Sequence, residues 1–156
     1  MHWTDTVIAV AAVAQAMGLI GSLAFIYREL RDNTRAVKSA TYQSIINARA
    51  DLEGRLSHDL GSIHTYRVGR EAPNELNPDD LPRFNQIISS LFNLYENLYF
   101  QYQSGLLDKE LWSGWCRNLF LDDFPHPGVQ AWWKEKSQLY SKRFRDFVNE
   151  GKYTDD

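Results

Sequence analysis

Residues 7–27, VIAVAAVAQAMGLIGSLAFIY, form an apolar segment without a single charged side chain. As an α-helix rising about 1.5 Å per residue, this segment is roughly 31 Å long, which matches the hydrocarbon thickness of a bilayer. A helix that is apolar on all sides needs lipid or a large protein around it, and the rest of this 156-residue chain is too small to enclose it. The sequence therefore predicts a transmembrane anchor over residues 1–27.

A cleaved signal peptide is the main alternative to an anchor. Such peptides begin with basic residues and have a shorter apolar stretch, whereas MHWTDT, before the segment, contains Asp5 and no Lys or Arg. The basic residues come directly after the segment: Arg28, Arg31, Arg35 and Lys38. Because Lys and Arg flanking a span stay in the cytoplasm, we expect the N-terminus outside and the rest of the chain inside.

Small side chains recur at helical spacing within the apolar segment, at Ala14, Gly18 and Ser22. Such a ridge lets two helices approach closely, and Gln15 beside it offers a hydrogen bond across the contact. The alternative is that Ala and Gly are simply common in membrane helices. The predicted partners are membrane lipids, together with another membrane protein or a second copy of the chain.

The rest of the chain shows only helical periodicity. Residues 28–57 lack proline and repeat apolar side chains with a period near 3.6, which predicts a juxtamembrane amphipathic helix. Residues 58–150 contain further helix starts, such as Asn77 before Pro78, and predict a cytoplasmic helical bundle. Residues 151–156 are expected to be a frayed tail. The predicted fold class is all-α, with a single N-terminal transmembrane helix continuing into this small bundle.

The motif ENLYFQ at residues 96–101 is also the recognition site of a protease that is used to remove purification tags. The apolar period runs through the motif without a break, and Gly105 stands where a helix C-cap is expected. An inserted protease site would lie in a polar linker near a terminus, and it would interrupt the apolar period. We therefore expect the motif to be a native, helical and mostly inaccessible part of the protein.

Two stretches resemble parts of a group of small bacterial proteins that have an N-terminal membrane helix followed by a helical cytoplasmic domain. They are RELRDNTRAVKSATYQ after the span, and YENLYFQYQSGLLDKELWSGW together with the AWW of residues 131–133. The resemblance covers most of the chain. It implies a bacterial origin, and hence the inner membrane, and it implies no activity and no functional residue.

No combination of residues predicts a catalytic or metal site. His58 and His64 are six residues apart, which does not place them on one helical face, and His126 lies between prolines that fix a loop. Cys116 falls within a helix, far from a helix N-terminus that would lower its pKa. The net charge of −3 gives no reason to expect nucleic acid. We expect no enzyme activity, no metal and no cofactor.

Aromatic residues make up 13% of the chain, more than a small bundle requires for its core. Because Trp and Tyr are enriched in contact hot spots, exposed members of this set are candidates for binding a partner. The candidate contact residues are Tyr99, Trp112, Trp115, Trp132 and Trp133. The alternative is that these rings form the core.

The predicted function is a membrane-anchored, non-enzymatic interaction module, an accessory or scaffolding subunit of a bacterial inner-membrane assembly. The anchor would hold the domain at the membrane, where it meets other membrane proteins at a high effective concentration. The alternative is a small-molecule-binding sensor or enzyme with an aromatic-lined helical pocket. Its polar group would be Glu96, His64 or His126.

Overall fold

The computed structural model describes residues 2–151, without the side chains of His2 and Asp5. Every regular element in this range is helical, which confirms the predicted all-α class. The α-helices are α1 (His2–Ser57), α2 (Leu60–Glu71), α3 (Leu81–Gln103), α4 (Lys109–Arg117), α5 (Pro127–Lys136) and α6 (Lys142–Glu150). Short 3₁₀ turns cover Pro73–Glu75, Pro78–Asp80 and Ser137–Leu139, and a π turn covers Asn118–Asp123. The predicted frayed tail lies outside the described residues from position 152 onward.

The chain divides into two compact units, Met1–Ala40 and Thr41–Asp156, and α1 contributes residues to both. In the first unit, α1 contains the one stretch of the described residues that is long and apolar enough to cross a membrane. Its most apolar window has a mean hydropathy of 2.0, and none of that window is buried. A signal sequence near an N-terminus can also meet this criterion of minimum length and apolar composition.

Helix α3 supplies the centre of the core in the second unit. Its buried residues follow the predicted steps of three and four: Phe84, Ile87, Ile88, Leu91, Phe92, Tyr95 and Leu98, joined by Leu94. The Phe92 ring stacks on the rings of Trp132 and Trp133 from α5, with centroids 5.3 and 4.8 Å away. From α1, Ile45 is buried in the same core. Burial of such a large apolar side chain contributes about 1.5–3 kcal/mol, which explains why these helices pack on α3.

The ENLYFQ motif is helical and lies within α3, as its periodicity predicts. Gly105 follows the helix with a φ of +71°, and its N–H donates to the carbonyl oxygen of Tyr102 at 3.0 Å. The expectation that the motif is mostly inaccessible is wrong. Six consecutive helical residues point around the whole circumference, so only Leu98 is buried, and Phe100 is 63% exposed.

The region after α3 differs from the sequence prediction at one point that matters for the site. In the sequence, Asp108 can cap a helix whose apolar spacing continues to about Leu121, but α4 ends at Arg117 and the π turn follows it. A π turn adds a residue to the helical turn and therefore changes the direction in which the following side chains point. It brings Asp123 into the interior, where the side chain is buried.

Two glycines allow α2 and α5 to lie unusually close together. A Cβ built on Gly128, in the first turn of α5, would overlap the carbonyl oxygen of Gly69 in α2. A Cβ on Gly69 would in turn overlap the ring of Phe84 in α3. The backbones thus touch where any larger residue would hold them apart. This close approach fixes α2 over α3 and α5, and it positions the α2 side chains described next.

Candidate functional site

Among the described residues of the second unit, one carboxylate is buried, and it accepts hydrogen bonds from two tyrosine hydroxyls. Asp123 is only 6% exposed. The hydroxyl of Tyr66 in α2 donates to Asp123 Oδ1 at 3.0 Å, and the hydroxyl of Tyr95 in α3 donates to Oδ2 at 2.5 Å. A carboxylate oxygen accepts two hydrogen bonds, so each oxygen retains capacity for another donor. The carboxylate therefore joins the π turn to α2 and α3 and still has sites for a ligand.

The pKa values of both tyrosine hydroxyls are raised, which further favours their protonated, donating form. Burial raises the pKa of Tyr66 to about 12, and the neighbouring negative charge of Asp123 adds to the shift. Burial and the same carboxylate also raise the pKa of Tyr95. Both effects disfavour a phenolate, because burial and a nearby like charge each oppose ionisation. At neutral pH, both tyrosines are protonated and can serve as hydrogen-bond donors.

Two arginines lie beside this centre. Arg70, one helical turn after Tyr66, donates from Nη1 to the Tyr66 hydroxyl at 3.4 Å, and its guanidinium carbon is 5.2 Å from the Tyr66 ring centroid. The Nε atom of Arg70 is buried without a hydrogen-bond partner. Arg49 of α1 donates through Nε to Glu53, and its guanidinium carbon lies 5.6 Å from the ring of Trp115. The site thus combines the Asp123 carboxylate, which is fixed by two hydrogen bonds, with the Arg70 guanidinium, which has N–H groups that donate no hydrogen bond.

Asp123, Tyr66 and the two arginines line one cavity of about 190 Å³ in the second unit. Its polar wall contains Arg49, Glu53, Tyr66, Arg70, Asp122 and Asp123. Its apolar wall contains Leu52 and Leu56 from α1 and Ile87 and Leu91 from α3. Four elements therefore converge on a single small space that has both signs of charge and an aliphatic side.

A larger and shallower groove of about 470 Å³ follows the C-terminal half of α3 beside α6. Its lining includes Glu96, Tyr99, Phe100 and Arg143. The carboxylate of Glu96 accepts a hydrogen bond from the backbone N–H of Ser141 at 2.8 Å, at the N-terminal end of α6. A negative charge is favourable at this end of a helix dipole, so Glu96 helps to hold α6 in place.

The other polar groups considered for a pocket lie elsewhere. His64 is exposed on α2, and His126 is half-buried as the residue that precedes α5. Neither histidine lines the cavity beside Asp123, and Glu96 does not line it either. The buried carboxylate in that cavity, Asp123, is not among the candidate residues of the sequence analysis.

The five candidate contact aromatics are divided between the core and its margin. Trp112, Trp132 and Trp133 are buried and pack against other rings. Tyr99 and Trp115 are half-buried. Tyr99 stacks on Phe147 of α6 with a centroid distance of 5.0 Å. Much of the aromatic surplus is therefore used for ring packing inside the bundle, and only Tyr99 and Trp115 of the five offer partly open surface.

The candidate membrane-contact residues Ala14, Gln15, Gly18 and Ser22 are all exposed on α1 in the first unit. A Cβ on Gly18 would meet nothing within 4 Å, and the Ser22 hydroxyl donates to the Gly18 carbonyl at 2.9 Å. The basic flank follows on the same helix. Arg28, Arg31 and Arg35 are exposed, and Lys38 is half-buried. Asp32 Oδ1 lies 4.0 Å from Arg31 Nε and 3.9 Å from Arg35 Nη1.

The sequence analysis missed Arg49, Tyr66, Arg70 and Asp123 as a group. One available signal was Tyr95, which falls inside the apolar stripe of α3, since a buried tyrosine hydroxyl usually has a hydrogen-bond partner. A second was the four-residue spacing of Tyr66 and Arg70, which places both on one face of α2. Neither signal identifies Asp123 as the acceptor, because its inward position depends on the π turn.

Among the described residues, no group of three or more His, Cys, Asp or Glu side chains is placed to hold a metal ion. Burial raises the pKa of the Cys116 thiol to about 12, so this side chain stays a protonated thiol at neutral pH. No protein-family model, no curated protein and no solved structure matches this chain.

Proposed function

We propose that this chain is a membrane-anchored, non-enzymatic interaction module, with its N-terminus outside and its helical domain in the cytoplasm. The observation that carries the proposal is the exposure of the apolar part of α1 on every side. Val7 is 53% exposed and Phe25 is 68% exposed, although both lie in a segment without charge. Apolar surface in water costs about 25 cal/mol per Å², and insertion into lipid removes that cost along the whole segment.

The charge pattern around the segment supports the orientation. Four basic residues follow it within eleven positions, and none precedes it. Cytoplasmic retention of Lys and Arg then places the second unit on the cytoplasmic side. The bacterial inner membrane is the proposed location because of the resemblance to small bacterial proteins with this layout.

The confinement of the domain to a membrane surface supports an interaction role, as an accessory or scaffolding subunit. An anchor confines the domain to one surface and raises its effective concentration toward other membrane proteins. The ridge of small residues in α1 offers a surface on which a second membrane helix can pack closely. We propose that a second copy of this chain occupies that ridge.

Substitution of Gly18 by leucine tests this contact. We expect Gly18→Leu to weaken pairing in the membrane about tenfold, because the added side chain fills the surface on which the second helix packs. The measurement is energy transfer between donor- and acceptor-labelled copies in lipid vesicles at several protein-to-lipid ratios.

The matched control is Ala16→Leu, which adds a similar volume about 200° away around the same helix. We expect Ala16→Leu to pair as the unsubstituted chain does. Equal energy transfer for the unsubstituted chain and Gly18→Leu would contradict pairing through this ridge.

A further inference from the structure

We propose that the cavity beside Asp123 binds a small zwitterion of the α-amino-acid class with an aliphatic side chain. The cavity lies wholly within the second unit and is formed by α1, α2, α3 and the π turn. This inference is independent of the membrane anchor, which the cavity does not include. The inference rests on the volume of the cavity, on the charged side chains of its polar wall and on the aliphatic side chains of its apolar wall.

The volume restricts the ligand to a small molecule. Pockets for drug-sized ligands measure about 300–1,000 Å³, and this cavity is smaller, at about 190 Å³. A free amino acid of valine size suits this space, whereas a nucleotide or a peptide helix does not.

The charges in the wall favour a ligand that has both signs. A simple anion would lie near Glu53, Asp122 and Asp123, and a simple cation would lie near Arg49 and Arg70. Each would meet a like charge in a partly buried space, where repulsion is stronger than in water. A zwitterion avoids this cost because each of its charges has a partner of opposite sign.

Two groups have the free capacity to bind such a ligand. Arg70 lines the cavity, and its guanidinium donates from Nη1 to the Tyr66 hydroxyl at 3.4 Å while Nη2 lies 3.9 Å from Glu71 Oε1, so the remaining N–H groups on Nη1 and Nη2 can donate to a ligand carboxylate. Asp123 accepts one tyrosine hydroxyl on each oxygen, and each oxygen has room for a further donor such as an ammonium. Arg49 is less available, because its Nε is already bonded to Glu53.

The spacing of these two groups suits an α-amino acid. The Tyr66 hydroxyl lies 3.4 Å from Arg70 Nη1 and 3.0 Å from Asp123 Oδ1, so a single hydroxyl separates the two charged side chains. In an α-amino acid, one carbon separates the ammonium nitrogen from the carboxylate carbon. The ligand side chain would then face Leu52, Leu56, Ile87 and Leu91.

Titration calorimetry of the full chain in detergent micelles tests the proposal with three matched probes. The probes are valine, 3-methylbutanoate, which lacks the amino group, and 2-methylpropan-1-amine, which lacks the carboxylate. We expect saturable binding of valine and at least about tenfold weaker binding of each analogue, since each loses one charge-assisted contact. The proposal would be overturned if valine shows no binding at about 10 mM, a concentration above the dissociation constants of weakly bound small ligands. Equal binding of either analogue would also overturn it, since it would indicate a site for one sign of charge.

A pair of arginine variants on α2 places the binding in the cavity. We expect Arg70→Gln to weaken valine binding at least about tenfold, because the donor for the ligand carboxylate is lost. The control is Arg67→Gln, since Arg67 is exposed on the same helix and does not line the cavity. Equal effects of the two substitutions would contradict the assignment. The probe comparison uses the unsubstituted protein, so it stays decisive even if Arg70→Gln fails to fold.

Discussion

Replacement of Asp123 by alanine is expected to lower the free energy of unfolding of the helical domain by about 3 kcal/mol. The substitution removes the acceptor for the hydroxyls of Tyr66 and Tyr95 at once. A hydrogen bond to a charged group contributes about 1.5–3 kcal/mol, and a buried donor without a partner is costly. Because the carboxylate joins the π turn to α2 and α3, its loss should loosen all three elements.

Urea unfolding followed by tryptophan fluorescence measures this effect, since Trp132 and Trp133 are buried in the same domain. The matched control is Asp122→Ala, which removes the adjacent but exposed carboxylate. Exposed positions of this kind usually change stability by less than about 0.5 kcal/mol. If the two alanine variants unfold at the same urea concentration, the tyrosine–aspartate centre does not stabilise the domain.

Gly128→Ala is the second substitution for which we expect a large effect, a loss of about 2–3 kcal/mol of stability. The new Cβ would overlap the carbonyl oxygen of Gly69, which belongs to the backbone of α2 and cannot rotate away. Relief requires α5 to move from α2, and that movement disturbs the packing of both helices. Thermal or urea unfolding of the full chain in detergent measures the loss.

Gly114→Ala provides the comparison for this helix contact. Gly114 lies in α4, and a Cβ at that position would meet nothing within 4 Å. Alanine in such a position usually stabilises a helix by about 0.5–1 kcal/mol, because it restricts the unfolded chain. Opposite signs for the two glycine substitutions are therefore expected. Similar changes in stability for both would contradict the close approach of α2 and α5.

The all-α class and the order of the helices could be predicted because local signals agree with the packing. In α3, the apolar steps of three and four give the buried face directly, and Asn77 accepts a hydrogen bond from the Asp79 N–H near its start, at 3.0 Å. At the end of α3, Gly105 adopts the positive φ that its position suggested. These features depend on residues close together in the sequence.

The cavity could not be predicted because its parts meet only through tertiary packing. Tyr66 and Asp123 are 57 residues apart, and no local pattern relates them. Helical periodicity from Val129 onward predicts an apolar face that includes Leu139, but Leu139 is 73% exposed, because Ser137–Leu139 forms a 3₁₀ turn that changes the phase.

Cysteine labelling tests most directly the central claim that α1 anchors the domain to the inner face of a membrane. Cys116 is buried and its pKa is raised to about 12, so it contributes little background with a thiol reagent. Two exposed positions, Thr4 near the N-terminus and Lys134 in α5, are each changed to cysteine in the full chain. Bacterial spheroplasts that express each variant are then treated with a membrane-impermeant maleimide.

The account predicts that Thr4→Cys is labelled in intact spheroplasts and that Lys134→Cys is labelled only after the membrane is permeabilised. Both variants should remain with the membrane pellet after alkaline extraction, since a spanning helix is not released by loss of charge interactions. Labelling of Lys134→Cys in intact spheroplasts would contradict the proposed orientation, and recovery of the chain in the soluble fraction would contradict the anchor.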